Sequence, residues 1–127
     1  MNRSFYFLVI EESSIARIII RIQLLQLGQR VDVISSLEEA WDNIKSVAYD
    51  MILIDRKLYK VDNPEITSFI QRHIKNDTAP IIAITAQTQH QEEDASYIAP
   101  SYFYKPINQH HALALIDYLD NRLNKEK

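Results

Sequence analysis

The chain has 127 residues, 46% of them hydrophobic, a formal net charge of −3 and no cysteine. This length fits one domain with a substantial core, and the lack of cysteine excludes disulfides and thiolate chemistry. Gly28 is the only glycine, which excludes glycine-rich phosphate loops and dinucleotide fingerprints. The acidic balance gives no support to a nucleic-acid-binding face, and no apolar run reaches the roughly 18 residues that suggest a membrane span.

Five short apolar runs predict strands, and helical segments follow them. The first, third and fourth runs are nearly continuous, which is typical of strands covered by helices on both faces of a parallel sheet. The second alternates with polar residues, as a strand at the edge of a sheet does. The runs are "FYFLVI" (5–10), "VDVI" (31–34), "MILI" (51–54), "PIIAIT" (80–85) and "YFY" (102–104).

Start and stop signals predict the helices between these strands. Ser13 or Ser14 can cap the first helix, and Gly28 can end it in the left-handed conformation. Ser36 and Glu39 form a capping box for the second helix. Further helices are predicted from Pro64 through "EITSFIQRHIK", within the polar segment 86–100, and after the capping residue Asn108.

The alternation of strands and helices predicts the fold class. It favours an α/β domain with a doubly wound parallel sheet, since right-handed crossovers restrict the order of the strands. We predict a flavodoxin-like (βα)5 sheet with the order 2-1-3-4-5. Residues 1–127 would form a single domain with its core at about residues 5–123.

Chemically active side chains follow the predicted strands where each one ends. Glu11 and Glu12 follow the first strand and Asp55 the third, while Thr85 ends the fourth and Lys105 follows the fifth. Ligands bind at this edge of an open α/β sheet. Three converging carboxylates require a cation, and carboxylate oxygens suit Mg²⁺, which also retains waters for a phosphoryl group.

This arrangement resembles the receiver domain of two-component response regulators, from about Phe5 to Leu123. "FLVIEESSIAR" is similar to the family's first strand and acidic pair, and "MILIDRKLYKVDN" to its phosphoacceptor strand and the loop after it. "PIIAITA" and "YFYKPI" are similar to its threonine and lysine segments. Each motif alone is weak, and the resemblance depends on all of them occurring in the family's order.

The resemblance implies a phosphoacceptor and a metal site. Asp55 would take a phosphoryl group from a histidine kinase or a histidine phosphotransfer protein. Glu11, Glu12 and Asp55 would hold Mg²⁺ together with the backbone carbonyl of Lys57. The chain would promote its own phosphorylation, as part of a bacterial, cytoplasmic phosphorelay.

The resemblance also implies a switch and an output face. Thr85 would bind a phosphoryl oxygen, Lys105 would form an ion pair with the phosphoryl group, and Tyr102 would be the aromatic switch residue. We define the output face as the predicted helix in 86–100, the strand 102–104 and the last helix. A downstream protein partner is expected to bind there.

Other interpretations stay open at this stage. A pseudo-receiver would use the same fold as an interaction module without phosphate, with Lys57 or Lys105 neutralising the acids and Glu12 standing where the family usually has aspartate. A flavodoxin-like cofactor site fits poorly because "EESSIA" places carboxylates where a phosphate would bind. The chain could be a single-domain regulator or a receiver from a larger regulator or hybrid kinase, and a homodimer is left open. Neither a nucleic acid nor a membrane is an expected partner.

Overall fold

A computed structural model describes residues 3–59, 64–76, 78–85, 102–104 and 108–126. Five strands of these segments form one parallel sheet in the order β2-β1-β3-β4-β5, so the predicted fold class and strand order are confirmed. The strands are β1 (Tyr6–Ile10), β2 (Arg30–Ile34), β3 (Met51–Asp55), β4 (Ile81–Thr85) and β5 (Tyr102–Tyr104).

The strand register brings the carboxyl ends of β1 and β3 together. Ile10 pairs with Ile34 of β2 on one side and with Ile54 of β3 on the other. One residue further along, Asp55 pairs with Ile84 of β4. The residues that follow Ile10 and Ile54 are therefore neighbours across the two central strands.

The predicted helix caps are present in the structure. The Ser13 hydroxyl accepts a hydrogen bond from the Ala16 amide at 3.2 Å, and Gly28 has the positive φ of 78° that a left-handed stop requires. The Ser36 hydroxyl accepts from the Glu39 amide at 3.2 Å. The helices are α1 (Ser14–Gln26), α2 (Leu37–Ser46), α3 (Arg56–Tyr59), α4 (Pro64–His73) and α5 (Gln109–Glu126).

One helix was not predicted from the sequence, and the predicted start of another is confirmed. The four-residue helix α3 begins directly after Asp55, where the sequence pattern predicted only a loop. The Asn108 side chain accepts from the His111 amide at 2.9 Å, which confirms the predicted cap of α5. The helix predicted in 86–100 lies outside the described residues. None of the helices in the described segments is long and apolar enough to cross a membrane.

The core lies on both faces of the sheet because side chains alternate along each strand. Phe7 and Val9 of β1 belong to the cluster that α1 and α5 cover. Leu8 and Ile10 belong to the cluster that α2 and α4 cover. Burial on both sides explains why β1 and β3 have continuous apolar sequences rather than alternating ones.

A polar cluster lies near the amino ends of β1 and β3, and we call it the tyrosine cluster. The Asp32 carboxylate accepts hydrogen bonds from the hydroxyls of Tyr6 at 2.7 Å and Tyr49 at 2.6 Å. The Asn43 amide donates to the Tyr49 hydroxyl at 3.0 Å, and the Arg30 guanidinium lies over the Tyr6 ring, 4.0 Å from its centre. These contacts join the edge strand β2 to β1, to α2 and to the segment before β3.

Candidate functional site

Two buried carboxylates occupy the carboxyl edge of the sheet. Glu11 follows Ile10 of β1 and is fully buried, and Asp55 is the last residue of β3 and is 4% exposed. Neighbouring strands lie about 5 Å apart, so the register places these two residues side by side. We call Glu11, Glu12 and Asp55 the acidic edge.

Backbone contacts hold the first part of the acidic edge in place. The Glu11 amide donates to the Ile34 carbonyl at 2.9 Å, and the Glu11 carboxylate accepts from the Ser13 amide at 2.8 Å. This carboxylate therefore lies at the amino end of α1, where the helix dipole favours a negative charge. Glu12 is exposed instead.

Arg17 contributes a cation that the sequence analysis did not identify. One nitrogen of its guanidinium donates to the carbonyls of Glu11 at 2.7 Å and Glu12 at 3.0 Å. The side chain reaches back from the first turn of α1, which fixes the conformation of the acidic loop. The position of an arginine one turn inside a capped helix that follows two acids was the signal available in the sequence.

Asp55 is oriented by the beginning of α3. Its Oδ1 atom accepts a hydrogen bond from the Lys57 amide at 3.1 Å, so the turn after β3 folds back on the carboxylate. The Lys57 side chain is exposed. The buried apolar strand β3 fixes the position of the Asp55 backbone.

The remaining predicted site residues are placed only in part. Thr85 ends β4 and pairs with Tyr104, one residue beyond the level at which Asp55 pairs with Ile84. Tyr102 pairs with Ala83 at the start of β5. Lys105 lies outside the described residues. The backbone of Thr85 is thus at the same edge of the sheet as Asp55.

The carboxylate oxygens of the acidic edge are the type of ligand that a hard divalent cation prefers. Magnesium in proteins is bound through one or two carboxylates, with waters and substrate phosphates completing its octahedron. Glu11 and Asp55 supply two carboxylates on adjacent strands. In the segments that the structure describes, no group of three or more His, Cys, Asp or Glu residues could hold a metal ion, which agrees with the exposed position of Glu12.

The fold is an α/β domain with a parallel sheet and two buried carboxylates at its carboxyl edge. The family model described as the response regulator receiver domain matches residues 7–117. The chain therefore belongs to the response regulator receiver domain family, as its sequence motifs predicted. A search of the curated proteins finds no match.

Solved structures with the same fold cover nearly the whole chain. The signal receiver domain of a modulated diguanylate cyclase from Desulfovibrio desulfuricans G20 is 26% identical, with 98% of this chain and 100% of that chain covered and a TM-score of 0.71. The chemotaxis response regulator CheY4 of Vibrio cholerae is 18% identical, with coverages of 92% and 99% and a TM-score of 0.70.

A third similar structure contains a metal. The receiver domain of a sensor histidine kinase from Pseudomonas aeruginosa is 20% identical, with 94% of this chain and 97% of that chain covered and a TM-score of 0.61. That domain has a magnesium ion coordinated in its active site cleft. These likenesses show the fold of the present chain.

Proposed function

We propose that this chain is a phosphoacceptor receiver that takes a phosphoryl group on Asp55 from a histidine kinase or a histidine phosphotransfer protein. The observation that carries the proposal is the pair of buried carboxylates, Glu11 and Asp55, at the carboxyl edge of β1 and β3. Two adjacent acids that are removed from water form a site that a cation stabilises. Membership of the receiver family supports the same conclusion.

In the proposed reaction, Asp55 is the nucleophile. One of its carboxylate oxygens bonds to phosphorus while the bond from phosphorus to the imidazole nitrogen of the donor breaks, and the product is an acyl phosphate. Lys57 acts through its amide, because the hydrogen bond to Oδ1 orients the carboxylate before the transfer. Positioning and charge neutralisation supply most of what phosphoryl transfer needs.

Glu11 and Asp55 would hold Mg²⁺, with Glu12 and the carbonyl of Lys57 as the further ligands that the resemblance implies. The metal, when bound, would neutralise charge that the carboxylates and the phosphoryl oxygens bring together. Arg17 keeps the loop of Glu11 and Glu12 in one conformation through two hydrogen bonds to their carbonyls. This restricts the acidic loop before any metal binds.

The proposal also includes three residues that would respond to the phosphoryl group: Thr85, Lys105 and Tyr102. Thr85 would bind a phosphoryl oxygen, Lys105 would form an ion pair with the phosphoryl group, and Tyr102 would switch its position. The position of Thr85 at the end of β4 beside β3 supports its part. The output would be binding of a downstream protein to the output face.

The proposal covers residues 1–127 as one receiver unit with its core at about 5–123. It applies equally to a single-domain regulator and to a receiver that belongs to a larger regulator or hybrid kinase. It keeps the cytoplasmic location and the bacterial origin that the resemblance implies. It also includes no direct binding of nucleic acid.

The test is the intact mass of the chain after incubation with acetyl phosphate, with and without Mg²⁺. We expect a Mg²⁺-dependent gain of one phosphoryl group in the wild type and no gain in Asp55→Asn. Asp42→Asn, an exposed acid on α2, is the matched control and should be phosphorylated normally. A gain that persists in Asp55→Asn would assign the phosphoryl group to another residue.

The pseudo-receiver is the second candidate, and the exposed position of Glu12 favours it. Without a third close carboxylate, Lys57 could neutralise the remaining two acids without a metal. The absence of phosphorylation, together with no binding of Mg²⁺ or of beryllofluoride, would support this interpretation. The variant Lys57→Ala would then be expected to restore Mg²⁺ binding.

A further inference from the structure

The acidic loop, residues 11–13 between β1 and α1, is bound along its whole length by one residue of α1. One nitrogen of the Arg17 guanidinium donates to the carbonyls of Glu11 at 2.7 Å and Glu12 at 3.0 Å. The Arg17 amide donates to the Ser13 carbonyl at 3.0 Å. Every peptide carbonyl of the loop that carries two of the proposed metal ligands therefore accepts a hydrogen bond from Arg17.

Other hydrogen bonds hold the two ends of the acidic loop but not its middle. The Glu11 amide donates to the Ile34 carbonyl at 2.9 Å, and the Ser13 amide donates to the Glu11 carboxylate at 2.8 Å. Within the segments that the structure describes, Arg17 is the only hydrogen-bond partner of Glu12. Removal of the guanidinium would therefore release the backbone at Glu12 first.

Magnesium and calcium place different demands on such a loop. Mg²⁺ requires a nearly ideal octahedron of oxygens at about 2.0–2.1 Å, whereas Ca²⁺ accepts about six to eight oxygens at about 2.3–2.6 Å in flexible arrangements. The flexibility of the ligands is one of the properties by which a protein site discriminates between the two ions. A loop that is restrained before the metal binds therefore helps Mg²⁺ more than it helps Ca²⁺.

We propose that Arg17 makes the acidic edge favour Mg²⁺ over Ca²⁺ by holding the acidic loop in one conformation. The inference rests on the proposed function, because it takes the acids of this edge as metal ligands. Arg17 is a positioning residue in this reaction, since its guanidinium binds backbone carbonyls and acts on the metal through the loop. It therefore contributes to the choice of the ion rather than to the transfer of the phosphoryl group.

The expected size of the effect follows from the cost of ordering the loop. Fixing the backbone of one residue costs about as much free energy as a tenfold change in an equilibrium constant. We expect Arg17→Gln to weaken Mg²⁺ binding by about tenfold, because the backbone at Glu12 must then be ordered when the metal binds. Ca²⁺ binding should weaken by less than about threefold, because the ligands of Ca²⁺ can adapt.

The charge of Arg17 acts on both ions alike and in the opposite direction. A cation near the acidic edge repels any divalent ion, so loss of its charge should strengthen the binding of Mg²⁺ and Ca²⁺ by the same factor. Arg21→Gln is the matched control, since Arg21 is an exposed residue of the same helix that makes no hydrogen bond to the acidic loop within the described segments. The ratio of the two dissociation constants should not change in this variant.

The test is calorimetric titration of the full chain with Mg²⁺ alone and with Ca²⁺ alone, for the wild type and the variants. Arg17→Lys keeps the charge but replaces the planar fork of donors with a single ammonium, so its ratio of constants should lie between those of the wild type and Arg17→Gln. Circular dichroism should show that every variant is folded. Ca²⁺ binding by Arg17→Gln would show in addition that its acidic edge is intact.

Two outcomes would overturn this inference alone. Equal losses of affinity for both ions in Arg17→Gln would show that Arg17 supports the site without selecting the ion. An unchanged affinity for Mg²⁺ would show that other contacts hold the acidic loop. A wild-type chain that binds neither ion would instead overturn the proposed metal site of the receiver, and the inference with it.

Discussion

The tyrosine cluster and the acidic edge both contain carboxylates, but their partners differ in kind. Asp32 accepts hydrogen bonds from two tyrosine hydroxyls that lie 26 and 17 residues away in sequence. Glu11 and Asp55 accept hydrogen bonds from backbone amides only two residues further along the chain. The hydrogen bonds of Asp32 join separate elements of the fold, whereas these two hydrogen bonds at the acidic edge lie within the turns that follow β1 and β3.

This difference indicates that the tyrosine cluster stabilises the fold and that the acidic edge serves binding. A carboxylate with hydroxyl donors from two elements stabilises the fold, and its removal leaves both hydroxyls without their acceptor. Two adjacent carboxylates at the edge of the sheet repel each other, and a bound cation would reduce this repulsion. We therefore expect substitutions at the two regions to affect stability and binding in opposite ways.

The largest effect on stability is expected for Asp32→Ala. The substitution leaves the hydroxyls of Tyr6 and Tyr49 without their acceptor, which should lower the free energy of unfolding by about 3 kcal/mol. Urea denaturation followed by circular dichroism measures this change. Asp42→Ala on α2, which removes an exposed acid, should stay within about 0.5 kcal/mol of the wild type.

A substitution at the acidic edge should have the opposite effect on the free energy of unfolding, measured by the same urea denaturation. Asp55→Asn removes one of two neighbouring buried charges, so we expect the free energy of unfolding to remain unchanged or to rise. A loss as large as that of Asp32→Ala would mean that Asp55 also holds the fold together. The assignment of stability to the tyrosine cluster and of binding to the acidic edge would then be wrong.

The next effect in size is expected for Tyr49→Phe. Tyr49 is fully buried, and its hydroxyl both donates to Asp32 and accepts from Asn43. Removal of this hydroxyl should lower the free energy of unfolding by about 1–2 kcal/mol. The control is Tyr118→Phe on α5, where the side chain is half-buried and the loss of stability should be smaller. A double-mutant cycle of Tyr49→Phe with Asp32→Asn should show clear non-additivity, and simple additivity would exclude a coupled cluster.

A difference within the acidic edge gives the third prediction. If Glu11 and Asp55 hold Mg²⁺, Glu11→Gln should weaken Mg²⁺ binding by at least about tenfold. Glu12→Gln should have a smaller effect, because Glu12 is exposed. Titration calorimetry of the two variants measures both constants, and equal losses would place the two glutamates in equivalent positions around the metal.

The smallest effect is a pH dependence confined to alkaline solution. Burial, and then the hydrogen bond to Asp32, raises the pKa of Tyr49 above its ordinary value of 10.0. The hydrogen bond to Asp32 likewise raises the pKa of Tyr6. Above pH 10 the unfolded chain loses tyrosine protons that the folded chain retains, so the free energy of unfolding falls as the pH rises.

The matched experiment for this prediction compares the wild type with Tyr49→Phe. Thermal unfolding between pH 8 and 11 should show a steeper alkaline loss of stability in the wild type, beginning near pH 10. Below that pH the tyrosines are neutral in both the folded and the unfolded chain and should contribute no slope. Parallel curves for the two proteins would show that Tyr49 does not have a raised pKa.

Local patterns in the sequence were sufficient for most of the fold. Each nearly continuous apolar run forms a strand because helices cover both of its faces, and Ser13, Gly28, Ser36 and Asn108 mark helix ends through contacts with residues close in sequence. The order 2-1-3-4-5 also followed, since right-handed crossovers leave few alternatives. The helix α3 was missed because four residues after a strand carry no periodic pattern.

The sequence predicted that Glu11, Glu12 and Asp55 lie at the carboxyl edge of the sheet, but it did not predict how these side chains are arranged there. The position of Asp55 at the end of a buried strand follows from the sequence alone. That Glu11 is buried while Glu12 is exposed depends on how the chain turns into α1, and the sequence treats the two glutamates alike. The sequence shows that Arg17 lies one turn inside a capped helix after two acids, but the carbonyls that it binds became known only from the structure.

The sequence by itself determined the strands, the helix ends, the family and the acids at the carboxyl edge, since all of these depend on composition and short-range spacing. Only the tertiary structure decided which carboxylate joins distant elements and which apolar face of α1 is left exposed. Asp32 meets Tyr6 and Tyr49 because β2 pairs with β1 and the segment before β3 packs beside them. Such contacts depend on the positions of whole elements in space, and a linear pattern of residues does not contain those positions.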